Sequence, residues 1–256
     1  IQDLKTALTK PHGDYQNLGE FSNEQRIQLN TSVIQIENEY YSTIRPKRIC
    51  PSGERPINIL NSEGIEYLEL RCVDLDPFNP IGIDRSQIDF LDIFLLFCLS
   101  KESPPLETTE INSLKENHKK IINDGRNPNL KIFYEGAETK VSELANDLLE
   151  KMNEIAEESK EFVFQDGDNF WKESLQKQKE KIDNLDLTPS AKVIEKLINN
   201  KISHEEFGLE LAENNLSFFK NYNSSRNEEF SREASLSQGR QNKIESQESL
   251  PFEEYL

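Results

Sequence analysis

The sequence lacks an apolar run long enough to cross a membrane. Its most apolar stretch, FLDIFLLFCL from Phe90 to Leu99, has ten residues and includes Asp92. A membrane-spanning helix needs about 20 predominantly apolar residues. We therefore predict a buried helix for this stretch and no membrane partner.

Basic residues are also fewer than acidic ones. The chain has 30 Lys and Arg against 47 Asp and Glu, which gives a formal net charge of −17. A surface of this sign repels the phosphate backbone of nucleic acids and the headgroups of anionic lipids. The composition therefore argues against nonspecific binding to nucleic acid or to an anionic membrane surface.

Cysteine and histidine are too few and too scattered for a metal site or a disulfide framework. The three cysteines are odd in number and have no metal-ligand spacing, which favours the reducing cytoplasm. None of the three histidines has a second ligand at metal spacing. No glycine-rich phosphate loop and no nucleophile elbow occurs, so P-loop and α/β-hydrolase chemistry are not expected. The residues concerned are Cys50, Cys72, Cys98, His12, His118 and His204.

Two extended stretches stand out instead: QIENEYY, from Gln35 to Tyr41, and GIEYLELRCVDLDPFNPIGID, from Gly64 to Asp84. Their β-branched and aromatic residues, closed by Pro, Gly, Asn and Asp, predict strands. Because side chains alternate between the two faces of a strand, carboxylates are expected on one face and apolar residues on the other. The predicted polar faces are Gln35, Glu37, Glu39 and Tyr41 in the first strand and Tyr67, Glu69, Arg71 and Val73 in the second.

These polar faces have two explanations. A solvent-exposed sheet face is the simplest one. The carboxylates lie among Tyr and Arg, however, and clustered Glu with an Arg is also what magnesium and phosphate chemistry needs. Carboxylate oxygens bind the hard cation, and the guanidinium matches phosphate oxygens in a bidentate fork.

The segment between the two stretches, STIRPKRICPSGERP, is basic in an acidic chain. Its prolines and glycine predict an irregular loop. Four basic residues and one acidic residue lie between positions 45 and 55. Either this loop is solvated and balances nearby carboxylates, or Arg45, Lys47 and Arg48 contact a nucleotide phosphate or a substrate carboxylate.

The rest of the chain predicts helices. Asp84 or Ser86 is expected to cap a helix that contains the apolar stretch. Thr188 and Pro189 form a second start signal. We predict three regions: residues 1–100 with the strands and a supporting helix, a helical region over 101–222, and a polar tail over 223–256 that is a frayed helix or disordered. Further helices are predicted at Glu110–Asn123, Val141–Ser159, Asn169–Ile182, Pro189–Asn199 and His204–Tyr222.

The sequence QIENEYYSTIRPKR, followed by GIEYLELRCVDLDPFNPIGID, resembles the C-terminal half of the proteobacterial glutamate-cysteine ligases (γ-glutamylcysteine synthetases). The similarity is strongest from about Leu29 to Leu99 and continues, more weakly, through DLTPSAKVI. It implies an α+β fold, with a glutamine-synthetase-like antiparallel sheet portion followed by a mostly α-helical C-terminal region. It also implies that the chain is a fragment without the N-terminal half.

The resemblance implies an enzyme with ATP as a substrate and Mg²⁺ as its metal ion. Such ligases phosphorylate the γ-carboxylate of L-glutamate, and the amine of L-cysteine then attacks the acyl phosphate in the first step of glutathione synthesis. Glu69 matches the family's magnesium-ligand glutamate, and Arg71 matches the arginine that meets the transferring phosphate. Tyr41 matches a tyrosine of the cysteine pocket, and the neighbouring Glu37 and Glu39 are candidates for supporting carboxylates or ligands.

Further metal ligands in this family come from the N-terminal half, so we expect no catalysis by this chain alone. We also expect a cytoplasmic monomer whose partners are small molecules. Two alternatives stay open: a related ligase that joins activated glutamate to another amine, and a catalytically inactive helical interaction protein. The spacing of Glu69 and Arg71 counts against the second alternative.

Overall fold

The computed structural model describes residues 1–51, 53–163, 170–221, 225–247 and 250–255. The chain divides into two compact units, Ile1–Leu75 and Asp76–Leu256. The helix that begins after Asp84 therefore lies in the second unit, whereas the sequence grouped it with the strands in residues 1–100. The three-region division of the chain stays a prediction.

The first unit contains short helices and two β-ribbons. The second ribbon carries the candidate site: β3 pairs antiparallel with β4, with Arg45 opposite Glu69 and Lys47 opposite Tyr67. The elements of this unit are α1 (Gln2–Thr9), α2 (Gly13–Leu18), β1 (Phe21–Ser22), β2 (Gln25–Arg26), β3 (Ile44–Lys47), α3 (Pro56–Glu63) and β4 (Tyr67–Leu70).

The strand predicted over QIENEYY is wrong. Glu37–Glu39 forms a short 3-10 helix instead. The Glu39 carboxylate accepts a 2.6 Å hydrogen bond from the backbone N–H of Gln35. Such a side-chain-to-backbone bond offers the chain an alternative to strand pairing, so the alternating pattern of this stretch does not produce a shared face.

The loop predicted over the basic segment is wrong at β3, which contains Pro46. Proline lacks an N–H and is tolerated only where the ladder needs no donor. The N–H of Arg71 donates to the carbonyl of Thr43 over 2.8 Å, which makes these two residues a hydrogen-bonded pair. Because such pairs alternate with non-bonded ones along an antiparallel ladder, Pro46 faces Leu68 at a non-bonded position, with its nitrogen on the outer edge.

Pro56, expected to break structure, instead begins α3, where its missing N–H and fixed φ suit the first helical position. The next donor along this helix, the N–H of Ile57, is bound by the Glu37 carboxylate over 2.9 Å. The helix ends before Gly64, whose φ of +82° favours glycine. A residue distant in sequence thus supplies the N-terminal hydrogen bond of α3.

The second unit is mostly helical, as predicted. The prediction that Asp84 caps a helix is confirmed: its carboxylate accepts from the N–H of Gln87 over 2.7 Å, and the Gln87 side chain accepts from the N–H of Asp84 over 2.9 Å. This capping box starts α4 (Arg85–Ser100), which packs with α6 (Val141–Val163) and α7 (Phe170–Asp183). The buried core between them consists of Ile93, Phe97, Leu149, Met152, Ala156, Trp171 and Leu175.

The sequence analysis missed a hairpin in this unit. Strands β5 (Lys131–Tyr134) and β6 (Ala137–Lys140) pair antiparallel through a turn at Glu135 and Gly136, which both have positive φ. The hairpin is bound to α5 (Thr108–Asp124) by Asn117, whose side chain accepts from the N–H of Phe133 over 2.9 Å and donates to its C=O over 2.6 Å.

Three longer helices complete the described part of this unit: α8 (Pro189–Asn200), α9 (His204–Asn221) and α10 (Asn227–Glu245), followed by α11 (Phe252–Tyr255). The tail predicted as frayed helix or disorder is a helix with no buried residue over α10. The rest of that prediction falls partly on 223–224, 248–249 and 256, which lie outside the described residues. A search of the described helices finds none with the length and apolarity to cross a membrane.

Candidate active site

One face of the β3–β4 ribbon gathers four of the eight candidate site residues predicted from the sequence. Arg45 lies directly opposite Glu69, and Lys47 lies opposite Tyr67. Residues directly opposite each other, and those two apart on one strand, share a face of an antiparallel pair. Arg71 follows β4 by one residue and continues this face. We call these five residues the ribbon face.

Glu69 is the only carboxylate of the ribbon face, and both of its oxygens lie next to cations. Arg71 donates to Oε1 from Nε over 2.8 Å, and its Nη2 lies 2.7 Å from the same oxygen as an ion pair. The Nζ of Lys47 lies 3.3 Å from Oε2. Oε2 is itself buried and accepts no well-directed hydrogen bond, so the Lys47 contact is an ion pair only.

These contacts set the protonation of the pair. The hydrogen bond from Arg71 holds the pKa of the Glu69 carboxyl below its usual range, and Lys47 lowers it further. The same bond, together with Tyr41, raises the pKa of Arg71. A nearby opposite charge favours the charged form of each group, so Glu69 and Arg71 are both ionised at neutral pH.

Tyr41 lies beside this pair although it belongs to no strand. The guanidinium carbon of Arg71 is 4.5 Å from the centre of the Tyr41 ring, a cation–π distance. The ring is otherwise largely exposed to solvent. The structure thus brings together three of the sequence-predicted site residues: Tyr41, Glu69 and Arg71.

Glu37 and Glu39 are not on the ribbon face. Glu37 is 6% exposed, and its carboxylate accepts from Nε of Arg55 over 2.6 Å as well as from the N–H of Ile57. The carbonyl of Glu37 accepts from Nη2 of Arg45 over 3.2 Å. Glu37 therefore supports the site indirectly, because it holds Arg45 and α3 together.

The three basic candidates differ in how they are engaged. Arg48 pairs with the carboxylate of Glu63 over 2.8 Å, whereas Lys47 pairs with Glu69 and Arg45 with a backbone carbonyl. All three line a cavity of about 420 Å³ in the first unit. Tyr40 and Tyr67 also line it. Tyr40 was missed by the sequence analysis; burial raises the pKa of its phenol, as does the charge of Asp3.

A magnesium ion would find one ligand here. Across the residues with described positions, no three His, Cys, Asp or Glu side chains converge to hold a metal. Mg²⁺ is commonly held by one or two carboxylates together with waters and substrate phosphates. The buried Oε2 of Glu69, which lacks a directed hydrogen bond, fits one such ligand position. The other ligands would have to come from phosphate, water or groups beyond the described residues.

Basic and aromatic side chains around a single ionised carboxylate define a face suited to phosphate groups. The family model that matches this chain is described as glutamate-cysteine ligase and covers residues 1–121. This segment, which contains the whole ribbon face, is similar to the glutamate-cysteine ligases.

Individual relatives extend the similarity beyond residue 121. A glutamate-cysteine ligase of Alcanivorax borkumensis is 39% identical over 217 residues, which is 83% of this chain and 41% of that protein. A Janthinobacterium glutamate-cysteine ligase is 36% identical over 258 residues, 100% of this chain and 48% of that protein. The chain thus spans less than half the length of each of these relatives.

A solved structure agrees with these relatives. The crystal structure of a Francisella tularensis glutamate-cysteine ligase in complex with AMP superimposes with a TM-score of 0.86 at 30% identity. The match covers 99% of this chain and 50% of that protein. The chain therefore shares its mixed fold of helices and small antiparallel sheets with the matched half of that protein.

Proposed function

We propose that this chain forms part of an ATP-dependent ligase that joins the γ-carboxylate of glutamate to the amine of cysteine through γ-glutamyl phosphate. One observation carries the proposal: within the segment matched by the family model, Arg45, Lys47 and Arg71 surround the single carboxylate of Glu69 on one ribbon face. The reaction would be the first step of glutathione synthesis. The family's glutamine-synthetase-like arrangement of the catalytic sheet is part of the same proposal.

The proposal gives each residue of the face a role. Phosphoryl transfer needs the charge on the transferring group neutralised, with little covalent participation by the protein. Arg71 would bind the oxygens of the transferring phosphate, positioned by its contact with the Tyr41 ring. Arg45 and Lys47, with Arg48 at the rim of the same cavity, would bind the remaining phosphates or a substrate carboxylate.

Bound Mg²⁺ would neutralise phosphate charge, and Glu69 would be one of its ligands. Tyr41 would line the pocket for cysteine, with its exposed ring available to a small substrate. Glu37 would act through Arg45, to which its carbonyl is bonded. AMP in the Francisella tularensis relative supports the use of an adenine nucleotide by this chain. We propose that the enzyme is cytoplasmic and monomeric.

We expect no turnover by this chain alone. It corresponds to half or less of each relative described above, and Glu69 alone does not complete a metal site within the described residues. Detectable ligation by the isolated chain would contradict this part of the proposal.

The test is ADP release by the protein expressed from its whole reading frame, with ATP, magnesium and glutamate, in the presence and absence of cysteine. We expect cysteine to stimulate release and Glu69→Gln to abolish the stimulation. Release that ignores cysteine but responds to a different amine would instead support the related-ligase alternative. Absence of any nucleotide-dependent reaction would favour the inactive helical interaction protein.

A further inference from the structure

We propose that phosphate displaces Glu69 from Lys47 and Arg71, so that the carboxylate becomes available to a metal ion only when phosphate is bound. This inference rests on the proposed function and concerns the order of events at the same site. It assigns Lys47 a positioning role: it holds the Oε2 side of Glu69 before phosphate arrives and binds phosphate afterwards.

The first step of the argument is that Glu69 is already neutralised. Arg71 donates one hydrogen bond to Oε1 from Nε over 2.8 Å, its Nη2 lies 2.7 Å from the same oxygen as an ion pair, and Lys47 approaches Oε2 to 3.3 Å. A divalent cation approaching Glu69 in this state would meet two positive side chains at contact distance. Coulomb repulsion at such distances opposes cation binding.

The second step concerns the quality of these contacts. Nε and Nη2 of Arg71 both lie next to one oxygen, and only Nε donates a directed hydrogen bond to it. A guanidinium binds most favourably when two of its donors meet two oxygens in parallel. The Lys47 contact is an ion pair without a directed hydrogen bond, and Oε2 is buried. Glu69 therefore pairs with both cations, but neither cation has its most favourable hydrogen-bond geometry.

The third step is that phosphate satisfies these cations better. Phosphate oxygens offer the spacing that a guanidinium fork matches and carry more charge than one carboxylate. Among the described residues, Arg45, opposite Glu69 on the same face, has no carboxylate partner and donates to the carbonyl of Glu37. Three cations would then surround the phosphate, and both Glu69 oxygens would be free to bind the metal that phosphate brings with it.

The test is calorimetric titration of the chain with inorganic tripolyphosphate, first in EDTA and then with magnesium. In EDTA, Glu69→Gln removes the competitor for Arg71 and Lys47, and we expect it to raise tripolyphosphate affinity roughly tenfold. In magnesium we expect the order to reverse, so that Glu69→Gln binds tripolyphosphate less tightly than the unmodified chain, because Glu69 now contributes a metal ligand. Lys47→Gln should weaken binding under both conditions.

Glu66→Gln is the matched control. It makes the same change of net charge three residues away, and its carboxylate bonds the N–H of Ile49 rather than a cation. We expect this variant to bind tripolyphosphate like the unmodified chain. Equal gains in tripolyphosphate affinity for Glu69→Gln and Glu66→Gln would contradict the displacement of Glu69 and indicate an effect of net charge. An absence of tripolyphosphate binding by both the unmodified chain and Glu69→Gln, or a lack of reversal by magnesium, would also contradict the displacement.

This experiment can fail independently of the proposed function. It involves neither glutamate nor cysteine nor turnover. If tripolyphosphate displaces Glu69 but cysteine does not stimulate ADP release, the phosphate site stands and the assignment of cysteine as substrate is rejected. If ligation occurs but tripolyphosphate does not displace Glu69, the ligase stands and the role of Lys47 is rejected.

Discussion

The guanidinium carbon of Arg71 lies 4.5 Å from the centre of the Tyr41 ring, while its Nε and Nη2 lie 2.8 and 2.7 Å from one oxygen of Glu69. One planar group thus contacts both an aromatic ring and a carboxylate. Replacement of Arg71 by Lys keeps the charge but loses both the fork and the stacking surface.

In the protein expressed from its whole reading frame, Arg71→Lys should lower cysteine-dependent ADP release by about 10²-fold or more, the usual effect of losing one transition-state donor. Arg26→Lys is the control, because Arg26 also lies over an aromatic ring, 4.6 Å from the centre of Phe21, and beside a carboxylate, that of Glu20. Similar losses for the two variants would indicate a structural effect.

Glu37→Gln should destabilise the chain. One oxygen of the buried carboxylate accepts from Arg55 and the other from the N–H of Ile57. A glutamine side chain has only one acceptor oxygen, so its NH₂ group would face one of these two N–H donors. We expect a loss of about 1–3 kcal/mol in the free energy of unfolding by urea. Glu39→Gln, in the same 3-10 helix but exposed, should change it by less than about 0.5 kcal/mol. Equal effects would contradict the buried role.

Glu69 should make stability depend on pH at the acidic end. Its pKa is lowered in the folded chain from an ordinary value of 4.5, so the folded state favours the ionised form. The stabilisation is complete above the ordinary value and is lost as pH falls through the folded-state pKa. Urea unfolding at pH 7 and at about pH 3 should therefore show a smaller loss for Glu69→Gln than for the unmodified chain. Parallel losses would show that Glu69 is not stabilised by Arg71.

Asn117→Ala should loosen the β5–β6 hairpin, because its side chain bonds both backbone groups of Phe133. Phe133 is partly exposed, so we expect a cost of about 1–2 kcal/mol and faster hydrogen exchange at its amide. Asn123→Ala in the same helix gains the same helix propensity but removes only an exposed bond to the carbonyl of Lys119. The control should leave the hairpin unchanged, and exchange raised equally in both variants would contradict the role of Asn117.

How much of this could be predicted depends on whether the determining contacts are local. The cap of α4 lies within four residues of the sequence, and the helix was predicted from a capping residue, Asp84 or Ser86, followed by an apolar stretch. The resemblance also identified Glu69, Arg71 and Tyr41, which the structure brings together. The roles of these residues remain predictions until the variants are measured.

The partner of β4 could not be predicted locally. QIENEYY has the better strand pattern, but the Glu37 carboxylate binds the start of α3, twenty residues further along the chain. That contact exists only after folding, and it withdraws Glu37 from any shared strand face. The segment that does pair, IRPK, contains a proline and was predicted as a loop for that reason.

Pro46 determines on which side a further strand can join the ribbon. Its nitrogen lies on the outer edge of β3 and has no hydrogen to donate to a further strand. Proline on an edge strand prevents further pairing in many natural sheets in the same way. The outer edge of β4 contains no proline between Tyr67 and Leu70. A strand that joins this ribbon, from elsewhere in a longer protein or from another molecule, should therefore add alongside β4, next to Glu69 and away from the cavity-lining strand.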